Sequence, residues 1–218
     1  MPPRGLEPSG VILVDKPAGP TSFDIVAAVR RRTGARTGHA GTLDPFATGL
    51  LLLLSGASTR LQPRFVGLDK RYVTELDLTA RTSTGDPEGE VVDEHEPPSE
   101  DELRERLSAL EGVVELPIPA ASAVKIEGER AYRLHRRGVV VEMPVRAMHV
   151  RELRLAAYAE GICGLELLVS SGTYVRAIAE ALGGHCRTLR RTEIGPFSVQ
   201  EADPERVLPP DDALARLQ

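Results

Sequence analysis

Gly38-His-Ala-Gly-Thr-Leu-Asp44-Pro-Phe-Ala-Thr-Gly49 is the stretch of this 218-residue chain that says most about its fold. It lies in residues 37–49, which follow neither the helical nor the strand period and are therefore predicted to form a loop. A structureless stretch of this length inside a compact domain is usually functional. Pro45 keeps the backbone of Asp44 out of the α region and so holds its carboxylate in one orientation. On spacing alone, Asp44 is either a positioned acid or an Asx-turn residue, with His39 as a hydrogen-bonding loop residue.

Ordered elements are predicted on both sides of this loop. Residues 10–15 form a short apolar run typical of a buried strand, and a helix follows that Thr21 or Ser22 can cap. Residues 49–54 and 72–79 are predicted as strands. The remaining predicted elements are a helix with a Ser99–Glu102 capping box that ends at Gly112, a short helix over 129–137, a strand over 139–141, an antiparallel pair over 150–156 and 163–170, a helix capped by Thr173, a final strand beginning at Arg187 and a terminal helix over 211–217. Strands and helices do not alternate regularly, which predicts an α+β class with a mixed, mostly antiparallel sheet flanked by helices and loops.

Composition excludes several classes of protein. With 41% hydrophobic and 27% charged residues, the chain is neither disordered nor membrane-embedded, and its longest apolar run, 50–54, is too short to cross a bilayer. The N-terminus lacks the apolar core of a signal peptide. Two cysteines, Cys163 and Cys186, cannot make a disulfide framework. We therefore expect a soluble cytoplasmic protein.

Charge is distributed unevenly beneath the net value of −5. Residues 1–75 carry 10 Lys and Arg against 6 Asp and Glu, and residues 120–191 carry 12 against 7. The intervening residues 76–119 carry 3 against 13, and residues 192–218 carry 2 against 6. If the two basic blocks meet in space they would form a phosphate-binding face; the alternative is a scatter of solvated surface charges.

Motifs for the common cofactors and hydrolases are absent. The sequence contains no G-x-G-x-x-G after a strand, no P-loop, no C-x-x-C, no H-E-x-x-H and no G-x-S-x-G. Cys163, His185 and Cys186 lack the spacing of zinc ligands. The stretch that contains Asp44 is thus the one remaining candidate for chemistry.

Six motifs resemble, in order and spacing, the catalytic domain of the bacterial TruB family of tRNA pseudouridine synthases. They are GVILVDKPAGPTS, GHAGTLDPFATG, DKRYV, SAVKIEGERAYRLHRRG, SSGTYVRAIAEALG and LRRTEIGPFSV, and the resemblance covers residues 9–200. It implies the pseudouridine synthase catalytic fold and isomerisation of the T-loop uridine at tRNA position 55, with no cofactor and no metal.

The same resemblance implies three catalytic residues. Asp44 matches the catalytic carboxylate, which would attack C1′ of the ribose, stabilise the positive charge that develops there, or abstract a C1′ proton to give a glycal. These alternatives stay open. Arg176 is similar to the cation that pairs with this carboxylate. Tyr72 is similar to the aromatic residue that stacks on the displaced uracil and helps to remove its C5 proton.

Other residues are assigned by resemblance to RNA binding. His39 resembles a histidine that packs within the rearranged T loop, and Leu189 or a neighbour would pack near the base pocket. Asp86 matches a family acid, with a turn-forming role as the alternative. The cations that would contact RNA phosphates or order loops are Lys16, Lys70, Lys125 and Arg137.

Residues 120–144 correspond to the family's mobile RNA-binding thumb and are called the thumb segment below. Residues 201–218 would be a short C-terminal extension without the PUA-type domain that many members carry, so that domain is either dispensable or its absence weakens binding of the acceptor arm. We expect a monomer that flips the target uridine out of the T arm of tRNA. Two alternatives are a noncatalytic RNA-folding protein and a pseudouridine synthase for ribosomal or other RNA.

Overall fold

The computed structural model describes residues 9–218, which divide into two compact units. One comprises residues up to Val73 together with Leu189–Gln218, and the other comprises Thr74–Thr188. Strands β4 (Lys70–Asp77) and β12 (His185–Ile194) contribute residues to both. The linear division expected from the resemblance, at residue 200, stays a prediction.

The first unit is a sheet with helices on it. Its strands follow the order β14, β1, β3 and β12, with β2 on β3 and β13 on β12; all of these pairs are antiparallel except β3 with β12. Its elements, besides β4 and β12, are β1 (Gly10–Lys16), α1 (Ser22–Thr33), β2 (Thr37–His39), β3 (Thr48–Ser55), a 3₁₀ helix (Gly56–Leu61), α2 (Gln62–Val66), β13 (Phe197–Ser198), a second 3₁₀ helix (Val199–Glu201), β14 (Asp203–Leu208) and α6 (Pro210–Ala215).

Both faces of the β1–β3 pair are covered, which explains why their sequences are continuously apolar and do not alternate. Leu51 and Leu53 pack with Ile12 against α1, and Leu50, Leu52 and Leu54 belong to the core cluster on the other face. The second cluster also contains Phe65, Phe197, Leu208 and Ala213. Residues beyond 200 are therefore part of the core of this unit.

The second unit contains a long antiparallel hairpin. Strand β10 (Val145–Ala159) pairs with β11 (Ile162–Val169) on one side and with β7 (Gly112–Pro117) on the other. The other elements of this unit are β5 (Ala80–Thr82), β6 (Val91–Glu94), α3 (Glu100–Ala109), β8 (Lys125–Ile126), β9 (Glu129–Arg130), α4 (Ala131–Arg136) and α5 (Val175–Ala181). None of the helices within residues 9–218 is long and apolar enough to cross a membrane.

The predicted class is confirmed, and most predicted elements are present. Thr21 caps α1, as one of its two expected caps, and forms a capping box with Asp24, while Ser99 forms the expected capping box with Glu102. Thr173 does not cap its helix: its hydroxyl lies 3.3 Å from that of Ser170, and α5 begins at Val175 without a side-chain cap. The strand predicted over 139–141 is also wrong, because these residues are irregular.

The predicted loop is shorter than expected. Thr37–His39 form strand β2 and Thr48 begins β3, which leaves residues 40–47 irregular. We call residues 40–47 the Asp44 loop. Short strands such as β2 and β14 carry too few residues for a period to show, so the sequence did not reveal them.

Gly49 is required where β3 meets β12. Its φ is +104°, and a Cβ there would lie 2.2 Å from the carbonyl oxygen of Arg191. We predict that Gly49→Ala lowers the free energy of unfolding by about 2–4 kcal/mol, because strain and overlap with a neighbouring strand add together. Urea denaturation measures this.

The matched control is Gly38→Ala in the adjacent strand. Gly38 does not have a positive φ, and an added Cβ would meet no heavy atom within 4 Å. Its expected effect stays within about 1 kcal/mol. Equal effects of the two substitutions would contradict the requirement for glycine at position 49.

Candidate active site

A buried lysine at the end of β1 holds the Asp44 loop by hydrogen bonds. Lys16, at the end of β1, is fully buried, and its ammonium donates to the carbonyl oxygens of Pro45 (3.1 Å), Ala47 (2.7 Å) and Pro17 (2.9 Å). Charged donors bonded to carbonyls offset the cost of removing an ammonium from water. Lys16 therefore has the loop-ordering role that was one of its two expected roles, and it presents no exposed surface for a phosphate.

Arg191 holds the loop from the side of β12. It is 1% exposed, and its guanidinium donates to the carbonyls of Leu50 (2.8 Å), Thr42 (3.3 Å) and Gly41 (3.2 Å). The planar fork of an arginine suits this arrangement, because its nitrogens reach several acceptors at once. One side chain on β12 thus joins the start of the loop, at Gly41 and Thr42, to strand β3 at Leu50.

Ser22 completes the set from the first turn of α1. Its hydroxyl accepts from the backbone N–H of Leu43 (2.8 Å) and donates to the carbonyl of the same residue (2.9 Å). Asp44 itself is partly exposed, and its carbonyl accepts from the N–H of Ala47 (3.2 Å). Side chains from three elements therefore hold the backbone on both sides of Asp44. This fixes the backbone position from which its carboxylate extends.

Three further predicted residues belong to the same unit. Tyr72 on β4 and Leu189 on β12 are both 7% exposed, so each presents little surface. The ring of His39 on β2 is partly buried, and its Nδ1 is a buried atom without a hydrogen-bond partner in the structure. Burial, together with the charge of Arg191, lowers the pKa of His39. A neutral imidazole suits the packing role expected for it better than a cationic one.

Lys70 resembles Lys16 in being buried. It is 5% exposed, and its ammonium donates to the carbonyls of Val66 (2.6 Å) and Leu68 (2.5 Å). It therefore orders the turn between α2 and β4. The predicted contact of Lys16 and Lys70 with RNA phosphates has no support in this arrangement.

Arg176 lies in the second unit, in the first turn of α5 as expected, and is 3% exposed. Its guanidinium donates to the carbonyls of Thr84 (2.7 Å) and Ala121 (3.1 Å) and lies 3.6 Å from a carboxylate oxygen of Asp86. The other oxygen of Asp86 accepts from the Thr84 hydroxyl (2.6 Å) and the Glu88 N–H (3.0 Å). Asp86 thus forms a turn and also faces a cation, and its match to a family acid stays a prediction.

The thumb segment carries the remaining predicted residues. Lys125 on β8 is exposed, and Arg137, just after α4, pairs with Glu129 at 2.8 Å. On α4, Arg133 and Arg136 lie 5.9 and 5.6 Å from the centroid of the Tyr132 ring. This segment therefore displays cations to solvent, as RNA binding would require.

The structure brings most of the predicted residues into the first unit. The predicted ion pair of Asp44 with Arg176 joins residues of different units and stays a prediction. Ser22 and Arg191 were missed, although both lie in motifs that carry the resemblance, because one serine and one arginine among many do not reveal whether they face the core. No group of three or more His, Cys, Asp or Glu side chains able to hold a metal lies within residues 9–218.

The fold is that of a pseudouridylate synthase. A crystal structure of a pseudouridylate synthase matches 98% of this chain and 75% of its own, with a TM-score of 0.51 and 17% identity. The crystal structure of a Cbf5–Nop10–Gar1 complex contains a chain that matches with a TM-score of 0.67 and 27% identity over 88% of this chain. The match covers 50% of that longer chain.

Sequence comparison identifies the family. Residues 30–175 match the N-terminal domain of the TruB family of pseudouridylate synthases. A tRNA pseudouridine synthase B from Leifsonia xyli is 44% identical over 226 residues, which cover 96% of this chain and 75% of the relative. The chain therefore belongs to the TruB family, as its motifs predicted.

Lys70 makes the stability of the first unit depend on pH. Burial and the charge of Arg191 lower the pKa of Lys70 from 10.5 to about 8. Between these values the unfolded chain binds a proton that the folded chain does not, so stability rises with pH; below about pH 8 both states bind it and the dependence ends. We predict that the wild type gains on the order of 1–2 kcal/mol relative to Lys70→Met between about pH 7.5 and 9.5.

Denaturant unfolding at several pH values measures this difference. Lys70→Met also loses the hydrogen bonds of this lysine, which changes the free energy of unfolding by the same amount at every pH. The variants are therefore compared by the slope of the free energy of unfolding against pH. Lys125→Met, which removes an exposed lysine, is the control and should run parallel to the wild type. A Lys70→Met curve parallel to the wild type would show that this lysine keeps an ordinary pKa in the folded chain.

Proposed function

We propose that this chain isomerises the T-loop uridine at position 55 of tRNA to pseudouridine, in the cytoplasm and without a cofactor. The observation that carries the proposal is Asp44, a partly exposed carboxylate whose loop is held by Lys16, Ser22 and Arg191. Membership of the TruB family, and a relative named for tRNA pseudouridine synthesis, support the reaction and the substrate.

Asp44 acts at C1′ of the target nucleotide. The reaction breaks the bond between N1 of uracil and C1′, turns the detached base and forms a bond between C5 and C1′; the proton on C5 leaves and N1 gains one, so no atom is lost overall. A carboxylate promotes the first step by attacking C1′, by stabilising the positive charge that develops there, or by the glycal route, in which the proton leaves C2′ and not C1′ as the bond between C1′ and N1 breaks. Each route needs a carboxylate held in one place, which the bonded loop supplies.

Tyr72 and Arg176 serve the same reaction. Tyr72 stacks on the displaced uracil and helps to remove the C5 proton, a role that its position on β4 supports, because its burial limits the motion of the ring. Arg176 pairs with Asp44 and keeps it ionised. Its bonds to the Thr84 and Ala121 carbonyls orient the guanidinium before substrate binds.

The target base has to leave the RNA stack before it can react. Extrusion costs a few kcal/mol, which stacking and phosphate contacts offset. The thumb segment, with its exposed cations around Tyr132, supplies such contacts. Its Val140 is 97% exposed, so an apolar side chain is also presented to solvent there.

Replacing the carboxylate tests the reaction. Asp44→Asn keeps the shape of the side chain and removes its charge, so we expect tRNA binding to persist while turnover falls at least about a thousandfold. Release of tritium from tRNA labelled at C5 of uridine measures turnover, and filter binding measures affinity.

The matched control is Asp24→Asn, which changes an exposed capping carboxylate of the same unit. It should leave turnover within about twofold of the wild type, since the amide oxygen of Asn can still accept from the Thr21 N–H in the capping box. If Asp44→Asn retained activity within about tenfold, Asp44 would not be the catalytic residue. A wild type that binds tRNA and releases no tritium would favour the noncatalytic RNA-folding alternative.

Recognition of the T arm is tested by the size of the substrate. The basic residues lie in 1–75 and 120–191, so we expect an isolated T-stem-loop hairpin to be modified nearly as well as whole tRNA. Binding should weaken with salt at a slope of about −0.7 to −0.9 per phosphate engaged, with on the order of four to six phosphates. A steeper slope, or a hairpin more than about a hundredfold poorer than tRNA, would show contacts outside the T arm.

A further inference from the structure

A cationic cavity opens at the C-terminal end of α1, beside strand β2. Arg30, Arg36, Gly38 and Gln62 contribute to its wall, and it has a volume of about 130 Å³. This is several times the roughly 30 Å³ that one water molecule occupies in the liquid. Two arginines line it and no carboxylate does. Its volume and its two arginines therefore favour the binding of an anion that is larger than a water molecule.

Two of the polar side chains are already held in place. Arg30 donates from Nε to the carbonyl of Thr37 (2.9 Å), also reaches it with Nη2, and lies 5.9 Å from the centroid of the Phe23 ring. The Gln62 amide donates to the carbonyl of His39 at 2.8 Å. A guanidinium has five N–H donors and an amide has two, so both groups keep donors for a ligand. A site ordered in advance loses less entropy when it binds.

The two arginines differ from many others on this protein in having no acidic partner. Within residues 9–218, neither Arg30 nor Arg36 forms an ion pair, whereas Arg32, two residues after Arg30, pairs with Glu205. No acidic side chain within residues 9–218 thus neutralises the charges of Arg30 and Arg36. Two unneutralised guanidiniums beside one cavity attract a phosphate more strongly than any other common biological group.

We propose that this cavity binds a phosphodiester group of the RNA substrate, an inference that rests on the function proposed above. Gly38 and His39 belong to β2, and the Asp44 loop begins at the next residue, Ala40. A phosphate held here therefore belongs to the RNA backbone close to the reacting nucleotide. The cavity positions the RNA backbone, and Asp44 carries out the reaction.

Arg36→Ala tests this site with little risk to the fold. The side chain of Arg36 is exposed and makes no hydrogen bond within residues 9–218, while its backbone carbonyl accepts from the Gly56 N–H (2.7 Å). We expect tRNA affinity to fall on the order of tenfold, and the slope of log affinity against log salt to fall by about 1. The single-turnover rate at saturating tRNA should stay within about twofold of the wild type, because a contact to the RNA backbone acts on binding and does not touch the reacting atoms.

Arg31→Ala is the matched control. It removes the same charge from the last turn of α1, five residues before Arg36, but Arg31 does not line the cavity, and its charge acts on Asp24. Its effect on affinity should be at most about twofold. Equal losses in the two variants would overturn the site and leave only general attraction of RNA to a basic surface. Unchanged affinity in Arg36→Ala would overturn it as well.

Inorganic phosphate distinguishes the two sources of a phosphate group. Thermal unfolding is followed while phosphate replaces chloride at constant ionic strength, for the wild type and Arg36→Ala. A stabilisation of the wild type at millimolar phosphate that Arg36→Ala loses, together with unchanged tRNA affinity, would show a site for the free anion and contradict the RNA assignment. Lack of tRNA binding and turnover in the wild type would refute the proposed function, whereas an active wild type with an unaffected Arg36→Ala refutes only this site.

Discussion

Two buried cations under one loop are the constraint on which the first unit depends. Lys16 and Arg191 together donate to five carbonyls of the Asp44 loop and its flanks, at residues 41, 42, 45, 47 and 50. Isolated buried charges are costly, and these are tolerated because they donate to carbonyl oxygens, four of which belong to the irregular loop, at residues 41, 42, 45 and 47. The loop and its two cations therefore stabilise each other: neither would persist in this form without the other.

The second unit also buries a cation, the guanidinium of a single arginine. Arg176 is nearly inaccessible, and two carbonyls and the Asp86 carboxylate surround its guanidinium. Burial raises the pKa of the nearby Glu180 carboxyl, and the charges of Arg176 and Arg81 act in the opposite direction. The positive charge of Arg176 thus acts on two carboxyl groups, those of Glu180 and Asp86. A carboxylate oxygen of Asp86 lies 3.6 Å from the guanidinium.

Local sequence patterns predicted the parts of the fold that depend on residues close together in the sequence. The capping boxes at Thr21 and Ser99, the apolar strands of the core and the β10–β11 hairpin all carry local signals. Thr173 carried the same signal as a cap and was wrong, because the Ser170 hydroxyl lies beside it. The roles of Lys16, Ser22 and Arg191 depend on which distant carbonyls they meet. Such contacts leave no period in the sequence, so the candidate site was located by its motif and its support was found only in the structure.

The discontinuity of the first unit has a consequence for how the protein is made. Residues 74–188 form one uninterrupted stretch, whereas the first unit needs Leu189–Gln218 in addition to its N-terminal part. During synthesis from the N-terminus, the carbonyls of Gly41, Thr42 and Leu50 are present well before Arg191 is translated. A nascent chain stalled before residue 191 thus contains Asp44 without the guanidinium that shapes its loop. Catalytic competence is therefore acquired late in translation, after the middle of the chain has had time to fold.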